Sequence, residues 1–220
     1  MPKVDLILGA DPSRKRAVRT EPTQRRSTQR LDALLDAAAE IVDETGFERL
    51  TTQMVAERAG ASIGTVYRYF PDRVAVVQAL RERSIRRYRE RVADDMARTE
   101  IETWRDVVDV ALDSCAALYR DEPGFSVVRA GRRETAEGDV EPEFAHRMAQ
   151  LIEAEFETDT DAAELRFRLG VAIELGDALI SRAFQRDAAG DERYLAEAKR
   201  LVHEYLSDHL SGVRAARSAA

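Results

Sequence analysis

The chain has 220 residues and a mass of 24.7 kDa, with 44% hydrophobic and 34% charged side chains, 11 Gly and 6 Pro. A chain of this size buries roughly 70% of the surface it exposes when unfolded, and its Leu, Val and Ala content supports a packed core, which excludes collagen-like, low-complexity and disordered classes. The net charge of -7 is unevenly spread, with 12 basic against 11 acidic side chains in residues 1–80 and 22 against 30 in residues 81–220.

A single cysteine, Cys115, excludes an intramolecular disulfide, and together with only three histidines it excludes the Cys/His zinc frameworks. No stretch approaches 18 uninterrupted apolar residues, and Leu6-Ile7-Leu8 is too short for a span or a secretory leader, so a soluble, cytoplasmic protein is expected.

Residues 1–24 read as a basic, flexible N-terminal arm, with Pro2, Pro12 and Pro22 and no sustained apolar period. Its Arg14-Lys15-Arg16 run and the following Arg25-Arg26 could meet phosphate or a minor groove, and a plain solvated tail accounts for them as well. From about Arg25 the period turns helical: Leu31, Leu34, Leu35, Ala38, Ile41 and Val42 share a face, and Gly46 supplies a stop. Thr51 or Thr52 offers an N-cap to a short helix over Gln53–Ala59, which Gly60 ends. Ser62 caps another over Ile63–Phe70, with Val66 and Phe70 inward.

Pro71 breaks that run and can itself begin the next helix, whose stripe of Val77, Leu80, Ser84, Tyr88, Val92 and Met96 ends near Arg98. The arginines at 81, 83, 86, 87, 89 and 91 are expected on a solvated face or paired with Glu82 and Glu90. Further amphipathic helices follow: Trp104 to Tyr119, stopped by Pro123-Gly124; a short piece over 125–132; Phe144 to Phe156; one capped by Thr160 and carrying Leu165 to Phe184; and one from Tyr194 to Leu210, before Gly212. No convincing strand and no repeat is visible. The expected fold is therefore all-α, with a three-helix helix-turn-helix domain over 25–72, a helical domain over 73–212 and a tail over 213–220.

Two short helices joined by Gly60-Ala61-Ser62 match a helix-turn-helix, in which the second member enters the major groove. That member has small residues near its start and Ser62, Thr65, Tyr67, Arg68 and Tyr69 as hydrogen-bonding side chains. On physical grounds alone the same module could also bind another protein.

The segment from Leu50 to Arg73 resembles the DNA-binding segment of the tetracycline-repressor (TetR) family. The likeness spans roughly residues 26–80 and rests on Gly46-Phe47, the Ala59-Gly60-Ala61-Ser62 turn and the Tyr67-x-Tyr69-Phe70-x-x-Arg73 ending. The resemblance implies that Thr52 touches a phosphate, that Ser62, Gly64 and Thr65 sit at the groove edge, and that Tyr67 and Arg68 read bases or backbone. Tyr69, where the family often has His, would bond phosphate, and Arg73, where Lys is frequent, would clamp the backbone. Ile63 would make an apolar contact.

The family fold further implies a homodimer on palindromic DNA, released by a small-molecule effector held in the C-terminal domain. Two apolar stripes are wide enough for a 2 + 2 helix interface: Leu169, Ala172, Ile173, Gly176, Ile180, Ala183 and Phe184 on one helix, and Leu201, Val202 and Tyr205 on the next. Packing within one chain is the alternative. The candidate effector lining is Trp104, Val108, Cys115, Tyr119, Phe125, Phe144, Met148 and Ile152, with Arg129 as an anion partner, although each is equally a core position. An aromatic content of 6% argues against a large ring-stacked pocket.

There is no glycine-rich phosphate loop, GxSxG or CxxC, and His146, His203 and His209 do not stack on a helical turn, so no enzyme, cofactor or metal is expected. The expectation is a ligand-responsive dimeric transcriptional regulator, a repressor. The competing reading is a helical interaction module without sequence-specific DNA binding.

Overall fold

The computed structural model describes residues 3–8, 22–128, 141–210 and 214–215. They divide into two units, one drawn from residues 10–87 and 121–135, the other from residues 1–9, 88–120 and 136–220.

In the first unit α2 (Pro22–Thr45) buries Leu34, Ala38, Ile41 and Val42 completely or nearly so, against Leu50, Val55, Val66 and Leu80. A 3₁₀ turn (Phe47–Arg49) leads to α3 (Thr52–Arg58), where the Thr51 hydroxyl accepts the Met54 N–H at 3.1 Å. In α4 (Ile63–Tyr69) Ser62 Oγ accepts the Thr65 N–H at 3.2 Å, so both short helices start on hydroxyl caps as expected. Gly60 joins them at φ +58°, a conformation that side chains other than Gly adopt only at a cost.

The helix α5 (Arg73–Arg98) starts two residues later than Pro71 would allow. Asp72 supplies its cap instead, its carboxylate accepting the Ala75 N–H at 2.9 Å, a stronger acceptor than proline's mere lack of a donor. The arginines of α5 also differ from expectation. Arg83 is 4% exposed and donates to Asp36 at 2.7 Å and to the Leu35 carbonyl at 3.0 Å, while Arg87 pairs with Asp36 and Glu122, all across to other elements of the same unit.

Residues 121–128 belong to this unit. The Gly124 N–H donates to Asp43 at 2.9 Å, and Val128 joins the same core as Val66. Gly124 adopts φ +73° with Ala39 so close that an added Cβ would lie 2.8 Å from its carbonyl oxygen.

The second unit takes α5 from Tyr88 onward, α6 (Trp104–Asp121) up to Arg120, α7 (Glu141–Glu155), α8 (Ala162–Arg186) and α9 (Glu192–Ser207). Val92, Met96, Val107, Leu151, Ile152 and Leu165 are fully buried in one cluster. Asp161 caps α8, accepting from Ala163 and Glu164, and Asp191 caps α9. Thr160, expected as the α8 cap, instead donates to the His209 carbonyl at 3.3 Å.

Short segments of the expected arm and tail are ordered, while residues 9–21, with the Arg14-Lys15-Arg16 run, and 216–220 lie outside the described residues. A single helical turn, α1 (Asp5–Leu8), lies on α7 with Ile7 fully buried, and Arg147 donates to the Leu6 carbonyl. The Lys3 N–H donates to Glu155 at 2.7 Å. At the other end β2 (Arg214–Ala215) pairs antiparallel with β1 (Phe156–Glu157), a two-residue ladder that helical periodicity could not announce. The unit boundary falls inside α5, between Arg87 and Tyr88, rather than at residue 73.

Candidate nucleic-acid interface

The fold turns one row of α4 inward, through Val66 and the cap residue Phe70, and leaves Gly64, Tyr67 and Arg68 outward with Ser62 just ahead of the helix. Tyr67 is 53% exposed, unusual for a ring that could have packed. Ile63 and Tyr69 are half-buried and rest against the core of this unit, and Thr65 is half-buried with its hydroxyl 2.9 Å from Ser62 Oγ. A Cβ at Gly64 would meet nothing closer than Ser62 Oγ at 4.0 Å, so this face accepts close approach by a ligand backbone.

Tyr69 is the hub. Its hydroxyl lies 3.1 Å from Ser27 Oγ and 3.4 Å from the Ser27 carbonyl, and accepts from Arg68 Nη2 at 3.4 Å. The Arg68 guanidinium lies 5.2 Å from the centre of the Tyr69 ring. These bonds, first from Ser27 and then from Arg68, hold the phenol below its ordinary pKa, with the charges of Arg68 and Arg30 adding to the effect. A site that stabilises a phenolate also attracts other anionic oxygens.

The charge inventory sharpens this. Arg58 is neutralised by Glu40 and a bidentate Glu44, and Arg83 by Asp36. Arg68 and Arg73 have no carboxylate partner among the described residues; Arg73 donates to the Glu48 carbonyl at 3.0 Å, which fixes its guanidinium at the foot of α5. Thr52, the first residue of α3, is half-buried. Exposed, hydroxyl-rich and locally cationic, the surface has the donors that phosphate oxygens and base edges need.

Ser27 and Arg30 are the residues that reading along the chain did not single out. They lie some forty positions before Tyr69, and only the fold of the unit, whose core α2 and α4 share, brings them together.

In the second unit Trp104, Val108, Phe144, Met148 and Ile152 gather in the main core, and Cys115 and Tyr119 are buried on α6, the Tyr119 ring stacked on Phe184 at 4.9 Å. Phe125 belongs to the first unit, and Arg129 lies outside the described residues. A cavity of about 290 Å³ opens between α5, α6, α8 and α9, and its lining shares no residue with that set. Of the stripes read as an interface, Leu169, Ala172, Gly176, Ile180, Ala183 and Val202 are buried within the single chain, whereas Ile173, Phe184, Leu201 and Tyr205 are partly exposed.

His203 Nε2 lies 3.1 Å from Asp109 Oδ1, and among the described residues no cluster of three His, Cys, Asp or Glu could hold a metal. No helix among the described residues is long and apolar enough to cross a membrane.

The chain matches known proteins over both units. Residues 34–80 match the family model described as bacterial regulatory proteins, tetR family, and residues 102–210 match the tetracyclin repressor-like C-terminal domain. A TetR-family transcriptional regulator from Streptomyces coelicolor is 34% identical, with a TM-score of 0.67 over 82% of this chain and 99% of that one. The HTH-type transcriptional repressor KstR of Rhodococcus jostii is 26% identical over 155 residues, 70% of each chain. The nucleoid occlusion factor SlmA of Haemophilus influenzae is 31% identical over 110 residues, 50% of this chain and 48% of that one.

Proposed function

This chain belongs to the tetracycline-repressor family of bacterial transcriptional regulators, and we propose that it is a cytoplasmic, dimeric repressor that binds a palindromic operator and leaves it when a small molecule occupies its second unit. The observation that carries the reading is the outward row of α4, with Tyr67 and Arg68 exposed and Tyr69 tied to Ser27 of α2. In this reading Tyr67 and Arg68 face the major groove, Ser62, Gly64 and Thr65 meet its edge, Ile63 makes an apolar contact, and Tyr69, Thr52 and Arg73 hold phosphates.

The dimer would use the side of α8 that the chain itself leaves open. Phe167 is 59% exposed there, and Val171 and Ala178 follow at helical spacing. The partly exposed Ile173 and Phe184 of α8 and Leu201 and Tyr205 of α9 would flank it. Release would pass through α5, which contributes Arg73–Arg87 to one unit and Tyr88–Arg98 to the other, so a displacement of its second half by effector reaches the segment that carries Arg73.

Sedimentation of the purified chain with a duplex that it retains tests the reading. Two protomers on one two-fold-symmetric site are expected. One protomer per site, or binding without a symmetric footprint, would overturn it.

A further inference from the structure

The cavity of the second unit has a definite chemistry. Its floor is apolar, built from Leu112, Ala116 and Ala117 of α6, Ile180 of α8, and Leu195 and Ala198 of α9. Its rim carries Arg91, Arg120 and Lys199 as cations and Asp95 and Asp113 as anions.

Two of these cations are already answered, Arg91 by Asp95 at 2.7 Å and Lys199 by Asp113 at 2.7 Å. Arg120 is not. Its Nε donates to the Ala189 carbonyl at 2.9 Å and its guanidinium lies 5.5 Å from the centre of the Phe184 ring, with no carboxylate partner among the described residues. Phe184 is itself stacked on the buried Tyr119, so the ring and the backbone bond hold the guanidinium at the rim with its terminal nitrogens available.

We propose that this cavity binds a small apolar monocarboxylate, its carboxylate on the Arg120 guanidinium and its apolar body on the Leu112, Ile180 and Leu195 floor. The fork of an arginine matches a carboxylate, and a single uncompensated positive charge calls for a single negative one. A ligand of higher negative charge would set its excess against Asp95 and Asp113. Size points the same way: at about 30 Å³ for each water-sized group, the cavity holds on the order of ten such groups, a short-chain or single-ring acid rather than a nucleotide-bearing one. The proposal that this acid acts as effector rests on the repressor reading above; the binding site itself does not.

Octanoate and 3-phenylpropionate, with octanamide as the uncharged analogue, are suitable probes, titrated into the full-length chain by calorimetry. Saturable binding of at least one acid is expected, with octanamide about tenfold or more weaker than octanoate. Arg120→Gln should bring the acids down to the amide's level, Arg120→Lys should retain part of the difference, and Ala117→Trp, which fills the floor, should abolish binding of acid and amide alike. Retained DNA binding reports that each variant is folded. No saturable binding of either acid, or equal binding of acid and amide, or binding unchanged in Arg120→Gln, overturns the site. If an acid binds through Arg120 and DNA is not released, the site stands and its role as effector site is refuted. Release by another metabolite that persists in Ala117→Trp refutes the cavity's role as effector site and leaves the repressor reading intact.

Discussion

The Arg83 network offers a test in which packing and charge make opposite predictions. Arg83 is 4% exposed while the side chain of its partner Asp36 is 55% exposed, so one charge of the pair is taken out of water and the other is not. Burial pushes the guanidinium below its ordinary pKa, the neighbouring Arg87 pushes it further, and Asp36 only opposes the two. Desolvation therefore outweighs pairing at this site. Replacing Arg83 by Met, which keeps the length of the apolar stem, should change stability by less than about 1 kcal/mol, because the charge left behind, Asp36, is half in water and still within reach of Arg87 at 3.6 Å, so no buried charge is stranded.

Asp36→Asn does the reverse, leaving the buried guanidinium without its counter-charge. Removal of one partner of a fully buried pair costs about 3–5 kcal/mol, and with water reaching half of Asp36 the expectation falls to roughly 1–3 kcal/mol. For a chain of this length that is a fall of roughly 2–12 °C in Tm, at about 2–4 °C per kcal/mol. Thermal and urea denaturation of the two variants measure it, with the urea slope checking that unfolding remains one transition. A larger loss for Arg83→Met than for Asp36→Asn would refute the reasoning, since it would mean that the pair is a net source of stability.

Tyr69→Phe should weaken binding to specific and scrambled duplexes alike, by about tenfold or more if its hydroxyl bonds a phosphate, without changing the salt dependence, whereas Arg73→Ala should lower the log-log salt slope by ~0.9 per phosphate lost. Anisotropy between 0.05 and 0.3 M salt separates the two, and a change of preferred sequence in either variant would contradict the phosphate assignment. Gly124→Ala meets both an unfavourable positive φ and the Ala39 carbonyl, so a loss of about 2–4 kcal/mol is expected by urea denaturation. Ile7→Ala should cost about 2–5 kcal/mol if α1 is part of the core of the second unit; a variant as stable as the parent would show that it is not. Glu143, bonded by Arg147 and then Arg89, has its carboxyl held below the ordinary value of 4.5, so it contributes stability that is complete above that pH and is lost as pH falls through the lower folded value. Glu143→Gln should accordingly flatten the decline of Tm between pH 5 and 3, and an unchanged decline would count against the pairing.

Much of the fold was legible because its rules are local. The stripe Leu34 to Val42, the Thr51 and Ser62 caps and the Gly60 turn are short-range patterns, and each appears where spacing and side-chain chemistry put it. The long reach of α5 to Arg98 was readable for the same reason.

What could not be read was tertiary. Nothing near Arg83 in sequence announces Asp36, and nothing near Tyr69 announces Ser27, since α2 contributes both through packing alone. Asp72 replaced Pro71 at the start of α5, and Asp161 replaced Thr160 at the start of α8, because a carboxylate one residue nearer the helix accepts its first amides more strongly. The apolar stripes of α8 and α9 were seen correctly as apolar, but period alone does not say whether a partner helix belongs to the same chain. The cavity was missed because its lining alternates Ala with charged residues, a pattern that reads as helix surface until three other helices are set against it.

The most direct test of the central claim is a selection from random duplex DNA with the purified chain at about 0.15 M salt, with the retained fragments sequenced. A sequence-specific dimeric regulator predicts an enriched palindrome whose half-sites lie about one helical turn, 10–10.5 base pairs, apart or a multiple of it. Retention without any enriched sequence, seen only at low salt, would contradict it.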